Sequence, residues 1–441
     1  MPGLDQNYKI SEAFISADKF GAAEIDVSNR IFELTIFESI EKPYLTGNVV
    51  IVDDASIFDY SDFNGSEKLT VTISPLTGDD NQPPFVKKTF AMTRMLKRVK
   101  PNDNSETIMF HLDEDHYFLN STKLLSRSYT DKLERIATKI MAFELQRDID
   151  LSYLNDNGSA QGTRRVIVPY LTPIEACRWL LDRATTSTGS PLFMYSSIHD
   201  DNIRMGDLDK MLGQESFNFK TPFVYSQAAS QTSTGLDPVS EAMTVSSYSN
   251  PNGENSIGML DHGSIGSFYS NTDVGSGITY RSHFSADDMF ESFKTTGVLP
   301  KNAKQLIYDE RQKVDEAPIS DVNSVFYHQI SSRNTYGRFK SYTDEDTAAD
   351  HMLRVKSKAL KNTLYKNKVN IIVSGVAFFL AKATVGDIVR VNFIANNTAD
   401  QSGDEIYDKK KTGDYLIHST RHTFRDTSHN VSMDISRIHR D

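Results

Sequence analysis

Two short stretches concentrate the side chains that could hold a cation or move a proton: Asp113-Glu114-Asp115-His116 and His199-Asp200-Asp201. Carboxylate oxygens of this kind suit a hard divalent cation. Neither stretch has the twelve-residue spacing of a calcium loop, and a run of charges is ordinarily a solvated turn, so both are read that way. His418 and His422 lie four apart on an expected strand. There they share a face about two pleats apart, too far for joint ligation, and are read as structural. Gly263-Ser264-Ile265-Gly266 lacks the spacing of a nucleophile elbow. No His-Glu-x-x-His, Walker or dinucleotide fingerprint occurs. The single cysteine, Cys177, excludes an internal disulfide and a thiolate cluster. It stands two residues before the only tryptophan, Trp179, and reads as a buried small hydrophobe in a chain assembled in a reducing cytoplasm. Lys409-Lys410-Lys411 reads as a solvated loop tip. No catalytic residue, metal ligand or cofactor is assigned.

Composition narrows the class. A chain of 441 residues exceeds one ordinary core, so two to four domains are expected. Hydrophobic residues make up 38% and aromatics 10%, which is globular and not disordered. Forty-eight basic and 59 acidic residues give a net charge of −11. That argues against a phosphate-binding surface over the whole molecule and is compatible with nucleic acid sliding past without sticking. The first six residues lack a basic and then apolar leader, so no targeting segment is expected. The longest apolar run, Val369 to Ala381, is too short to span a bilayer and is expected to form one or two buried strands kinked near Gly375.

The elements that must carry these residues change along the chain. Phe32, Leu34 and Ile36 alternate with Glu33 and Thr35, then Val49 to Val52 and Leu69, Val71 and Ile73 follow, with an Asn64-Gly65 turn between them. Strands are also expected over Phe90–Arg98 and Thr107–Leu112, a spacing that suggests a barrel. The period then becomes helical: Leu133, Ile136, Ile140 and Met141 predict a helix capped by Thr130. Thr172-Pro173-Ile174-Glu175 reads as a capping box with proline at the first helical position, ahead of Ala176, Trp179, Leu180 and Ala184. Trp179 is expected to organise the core of this segment, with strands at Arg165–Val168 and from Phe193. Tyr225 to Gly277 is rich in Ser, Gly, Asn and Thr and reads as long loops or an arm. Short helices are expected at Asp287–Phe293 and Lys304–Val314, strand at Tyr327–Ile330, and a long helix from Thr343 to about Leu364. Last come Gly386-Asp387-Ile388-Val389-Arg390-Val391, Gly413-Asp414-Tyr415-Leu416-Ile417 running to Arg421-His422, a break at Asp426–Asn430, and Val431–Ile435. These predict an antiparallel meander closing a barrel. Val431, Met433 and Ile435 face inward, and Ser432, Asp434 and Ser436 face water.

Two regions, together about half of the chain, resemble the baseplate central hub proteins of contractile-tailed bacteriophages. The first is Pro43 to Ile73, with Gly47, Asp53, Gly65 and Glu67 as its motif positions. The second is the C-terminal meander, with Gly386, Asp387, Gly413, Tyr415, Ile417 and His422. The resemblance implies an α+β, mainly β fold: two tube-forming antiparallel β-barrel domains, an α/β insertion domain whose core and cap involve Trp179 and Thr172, and a loop-rich insertion. The divisions expected are residues 1–120, 121–205, 206–320 and 321–441. No internal repeat is visible, so the duplication comes from the resemblance.

The same resemblance implies a homotrimer whose six barrels match a sixfold tail tube on one side and a central spike on the other. Further partners would be the tube or tube-initiator protein, the tape measure protein and the surrounding wedge proteins, in a virion baseplate assembled in the host cytoplasm. DNA would pass through without specific binding, along an acidic or neutral wall, and no membrane anchor is expected. The alternatives are a tail-associated peptidoglycan hydrolase, for which no catalytic carboxylate pair can be singled out among 59 acids, and a carbohydrate-binding tail module.

Overall fold

The computed structural model describes residues 8–21, 23–60, 63–75, 85–102, 105–155, 162–226, 242–250, 256–274, 277, 279–306, 308, 313–331, 344–366, 368–395, 407–408, 410–426, 428–437 and 439–440. The leader positions before Tyr8, the expected cap Thr343 and Lys409 of the lysine run lie outside them.

The first quarter is built as the alternation requires. It contains β1 (Tyr8–Ser16), β2 (Ile25–Asp26), β3 (Ile31–Ser39), β4 (Thr46–Asp53), β5 (Lys68–Pro75), β6 (Val86–Asn102) and β7 (Ser105–Glu114). Leu34, Ile36, Val49, Ile51, Leu69, Val71, Ile73, Phe90 and Phe110 point into one core. Phe32 departs from the pattern and is 42% exposed. A register shift between Ile31 and Glu33 turns it outward, where the Arg425 guanidinium covers its ring at 4.9 Å.

A small α/β unit follows. It holds β8 (Ser128–Asp131) paired with β10 (Arg164–Ile167), and a sheet of β9 (Ile149–Tyr153), β11 (Leu192–Ser196) and β12 (Ile203–Asp207). Its helices are Leu133–Ile140 and Pro173–Leu181. The first starts after Lys132, not Thr130, because Thr130 is taken up in β8 against Arg165. The second carries the capping box of Thr172 and Glu175. The core centres on Ala176, Cys177 and Leu180 from this helix with Ile136, Ile140 and Met141. Trp179 is half-buried at its rim, with the Arg183 guanidinium 4.2 Å from its ring, so it does not organise that core.

The remainder holds β13 (Phe223–Tyr225), β14 (Val245–Ser249), β15 (Gly266–Asp273), β16 (Thr279–Ser285), β17 (Lys304–Gln305), β18 (Lys313–Val314), β19 (Ala317–Pro318), β20 (Val325–Ser331), β21 (Lys368–Ser374), β22 (Ile388–Phe393), β23 (Gly413–Arg425), β24 (Ser428–Ser436) and β25 (His439–Arg440). The Ser- and Gly-rich stretch is thus no simple arm. Its described residues supply β14, the helix Ser256–Asp261 and β15, which is the centre of a β16-β15-β20 sheet. Tyr269 and Met259, with Phe284 from β16, give it enough apolar weight to pack. The expected helix over Lys304–Val314 is absent among the described residues, which form only β17 and β18. The helices Ala286–Thr296 and Asp344–Lys366 are present. Val369–Ala381 is one strand, β21, and then a short helix, Gly375–Leu380, instead of a second strand. That helix drives Phe378 and Phe379 into two different cores. The break after Arg425 is a tight turn through Asp426, at φ +52°, with β24 resuming at Ser428. Val431, Met433 and Ile435 are buried, but so is Ser436, because its hydroxyl meets the ring nitrogen of buried His418.

Thirteen strands form one sheet, in the order β14-β21-β24-β23-β3-β4-β7-β6-β5-β1-β2, with β22 and β13 branching from β23. Among the described residues the ladder order from β14 to β2 is an open path. Strand β23 explains the joining. Along one edge, Gly413–Leu416 pairs with β22 and Ser419–Arg425 pairs with β3, and β24 covers the other edge from Leu416 to Arg425. The partner changes at the bulge between Ile417 and Ser419.

Leu180→Ala is expected to cost about 2–5 kcal/mol and Thr172→Ala about 1 kcal/mol. Trp179→Ala is expected to cost less than Leu180→Ala. Urea titrations of the three variants check the order; a Trp179 variant that falls furthest contradicts the placement of that ring at the rim.

Candidate functional site

The motif positions of the first half are turn and backbone devices. A Cβ on Gly47 would stand 2.6 Å from the Thr35 carbonyl oxygen, so β3 and β4 approach there only around a glycine. The Asp53 carboxylate accepts from the amides of Ala55, Ile57 and Phe58 at 3.0–3.1 Å and fixes the turn leaving β4. Gly65 lies at φ +86°, and the buried Glu67 carboxylate accepts from the amides of Asn64 and Gly65 and from Lys19. Burial pushes Glu67 up, but these donors hold it below its usual range.

In the second half, Gly386 lies at φ +89° with the Tyr195 hydroxyl 2.9 Å from where a Cβ would stand. Asp387 accepts from the Thr384 amide at 2.9 Å. Burial pushes its carboxyl up to about 6, against that bond. The backbones of Gly386 and Asp387 bond both polar groups of buried Ile417. The Arg437 guanidinium fills the space beside Gly413, and the Tyr415 hydroxyl donates to the Lys411 carbonyl.

His422 leads to the densest buried polar cluster, and it sits where β3 meets β23. Glu38 of β3 is its anchor and lies opposite Thr420 in the ladder. Its Oε1 accepts from the Ile198 amide at 2.6 Å and the Thr384 hydroxyl at 3.1 Å. Its Oε2 accepts from the Thr420 hydroxyl at 2.6 Å and lies 3.4 Å from His422 Nε2. Burial would push this carboxyl up; the bonds from His422 and Thr420 outweigh it and hold Glu38 at about 2. His422 Nδ1 is 3.2 Å from His429 Nε2, so one of the two nitrogens donates and the other accepts. Phe379 stacks on His429 at 4.4 Å, as does Phe424 at 4.3 Å. His199 completes the group, its Nε2 at 2.9 Å from the Ala383 carbonyl. Burial lowers His199 and takes His429 well down, so both rest neutral.

The cluster is structural chemistry. Thr420 Oγ1 sits between Glu38 and His422, 3.2 Å from the ring, in the outline of a nucleophile and base. All three residues are 0–2% exposed, which leaves no path for a substrate. Among the described residues no group of His, Cys, Asp and Glu could hold a metal ion.

The first acidic stretch differs from a solvated turn, while the second is a turn with Asp201 exposed. Asp113, Glu114 and His116 are buried. Glu114 accepts from the Leu45 amide at 2.8 Å, Asp113 from the Thr93 hydroxyl at 2.7 Å, and His116 Nε2 lies 2.6 Å from the Pro43 carbonyl. These bonds clamp the β3–β4 connection to the end of β7. Lys88, also buried, ties the second stretch to the first half through the Asp200 carbonyl and the Asp201 carboxylate, while Asp200 pairs with Arg204. Glu38 was not singled out from sequence. Its signal was parity: Leu34, Ile36 and Glu38 lie on one face of β3, so a carboxylate continues an inward apolar run.

No family model and no curated protein sequence matches the chain. Solved structures do. The 43 kDa tail protein of prophage MuSo2 from Shewanella oneidensis matches with a TM-score of 0.50 and 11% identity, over 97% of this chain and 98% of that one. A tail protein from Neisseria meningitidis MC58 matches with a TM-score of 0.50 and 11% identity, over 98% and 97%. The chain has the fold of these phage tail proteins, mainly β with added helices, as its resemblance to baseplate hubs implies.

Acid should loosen this seam. His199, His418 and His429 are all lowered by burial, so below an unfolded value of 6.5 the unfolded chain binds protons that the folded one refuses. Glu38 adds a loss between about 4.5 and 2, and Asp387, raised to about 6, offsets part of it. Stability is therefore expected to fall as pH drops below 6.5; a flat denaturation midpoint from pH 7 to 5 contradicts the buried neutral imidazoles. Gly375→Ala is expected to cost about 1–3 kcal/mol or more, because its Cβ would stand 1.8 Å from the His429 ring.

Proposed function

We propose that the chain is a structural hub protein of a phage tail baseplate, without enzymatic activity. In this reading three copies form a pseudo-sixfold ring that adapts the sixfold tube to a central spike and lets DNA pass. The observation that carries it is the end-to-end likeness of the fold to phage tail proteins, over 97–98% of both chains. The strand pairing supports the two-barrel part. The β3-β4-β7-β6-β5-β1 ladder and the β22-β23-β24-β21 ladder are two antiparallel units laid side by side. In the second, a bridge between Val224 and Thr244 brings β13 back towards β14, as a closing barrel requires. A ring would also cover strand edges left open within one copy.

The units proposed are 1–120, 121–205, 206–320 and 321–441, and the proposed partners are the spike, the tube or tube-initiator protein, the tape measure protein and the wedge proteins. The turn devices at Gly47, Asp53, Gly65, Glu67, Gly386, Asp387 and Gly413 would set the curvature of the ring wall. Light scattering of the purified chain, alone and with its spike, is expected to give a trimer, and low-resolution imaging a threefold ring with a central hole. A monomer under both conditions contradicts the hub reading.

A further inference from the structure

The charge of the chain is unevenly distributed. Residues 86–102, the whole of β6, hold Lys87, Lys88, Arg94, Lys97, Arg98 and Lys100 and no acid. With 48 basic and 59 acidic residues in all, the rest of the chain carries 42 − 59 = −17. Strand β5 pairs with β6 only as far as Ala91, and from Arg94 onward β6 is bonded to β7 alone. Among the described residues this outer part of β6 is an arm with one edge unpaired, backed by β7, which is itself paired with β4 from Glu106 to Asp113. Three register shifts, at Met92–Arg94, Met95–Lys97 and Val99–Asn102, break the alternation, so that residues 96–100 are all exposed.

Two of the six cations are already used. Lys88 is buried against Asp201, and Arg98 pairs with Asp59 and Glu106. Lys87, Arg94, Lys97 and Lys100 are exposed, with no ion pair among the described residues. Lysines on a free edge ordinarily keep other strands away. Here Leu96 at 39% and Val99 at 41% exposure stand among them, which a purely repellent edge would not carry. Exposed apolar groups set between unpaired cations fit a protein surface with acidic character.

We propose that the β6–β7 arm docks on a second copy of this chain, its unpaired cations meeting the acidic surface of the neighbour. The occupant follows from charge: whatever lies outside β6 on another copy carries −17, and the arm is the strongly basic element that complements it. The inference deepens the ring reading and rests on it, since it names the element that holds neighbouring copies together.

The test compares wild type with a triple variant, Arg94→Glu, Lys97→Glu and Lys100→Glu, and with a charge-preserving triple, Arg94→Lys, Lys97→Arg and Lys100→Arg. Sedimentation is run at 50 mM and 1 M salt, with circular dichroism to establish folding. All three positions lie outside the core, so the variants are expected to keep the wild-type spectrum and melting midpoint. The reversed variant is expected to self-associate at least tenfold more weakly than wild type, while the charge-preserving one associates normally and salt weakens wild type. If wild type and the reversed variant associate equally, the arm is not the contact, though the ring reading stands. A wild type that is monomeric throughout, both alone and with its spike, overturns both. If reversal abolishes binding to duplex DNA and leaves association unchanged, the arm serves a polyanion and the proposal is wrong.

Discussion

A carboxylate taken wholly out of water costs several kcal/mol unless charge and hydrogen bonds replace its hydration. Glu38 is in that position, and its partners are the reason the two halves of the molecule cannot be arranged independently. Its four donors come from three segments: the Ile198 amide after β11, the Thr384 hydroxyl before β22, and Thr420 and His422 on β23. Pulling any one of these away leaves a buried charge short of a donor. The N-terminal sheet, the inserted α/β unit and the C-terminal sheet are therefore registered on one side chain.

The strand layout follows from the same constraint. One edge of β23 serves β22 first and β3 second, and the bulge at Ile417/Ser419 lies at the handover. The short helix after β21 then sends Phe378 to the C-terminal core and Phe379 to the N-terminal one. Phe424 of β23 also belongs to the N-terminal core, and Ile40, just past β3, to the C-terminal one. Each core thus borrows side chains from the other half. Apolar interdigitation supplies the bulk of the stabilisation there, while the Glu38 cluster fixes which residues meet.

How much of this was legible depended on the range of the interaction. Period-two alternation located β3, β4, β5, β22, β23 and β24, and the capping box at Thr172 was readable because all its parts lie within four residues. Alternation failed at Phe32, where a register shift visible only against β4 reverses the face. Charge composition misjudged Asp113, Glu114 and His116 as solvated, because Leu45, Thr93 and Pro43, which satisfy them, are 20 or more residues away. The Gly375–Leu380 helix was missed for a related reason. Its residues suit a strand as well as a helix, and only two cores on opposite sides make the helical placement of Phe378 and Phe379 the better one.

The glycines carry the last part of the logic. Gly375 has no side chain because the His429 ring occupies its place, and His429 must be there because His422 needs a partner for its second nitrogen. His422 in turn is fixed by Glu38. A glycine at the start of a helix, ordinarily a loss of stability, is thus required by a carboxylate on a strand more than 300 positions earlier. The same reasoning separates the two kinds of polar residue in this chain. The imidazoles and carboxylates of the seam are enclosed and paired, and they set geometry. Four of the six cations of β6, Lys87, Arg94, Lys97 and Lys100, are exposed and make no ion pair among the described residues. The first kind acts within the molecule through the hydrogen bonds it makes, whereas the second meets solvent along one strand edge.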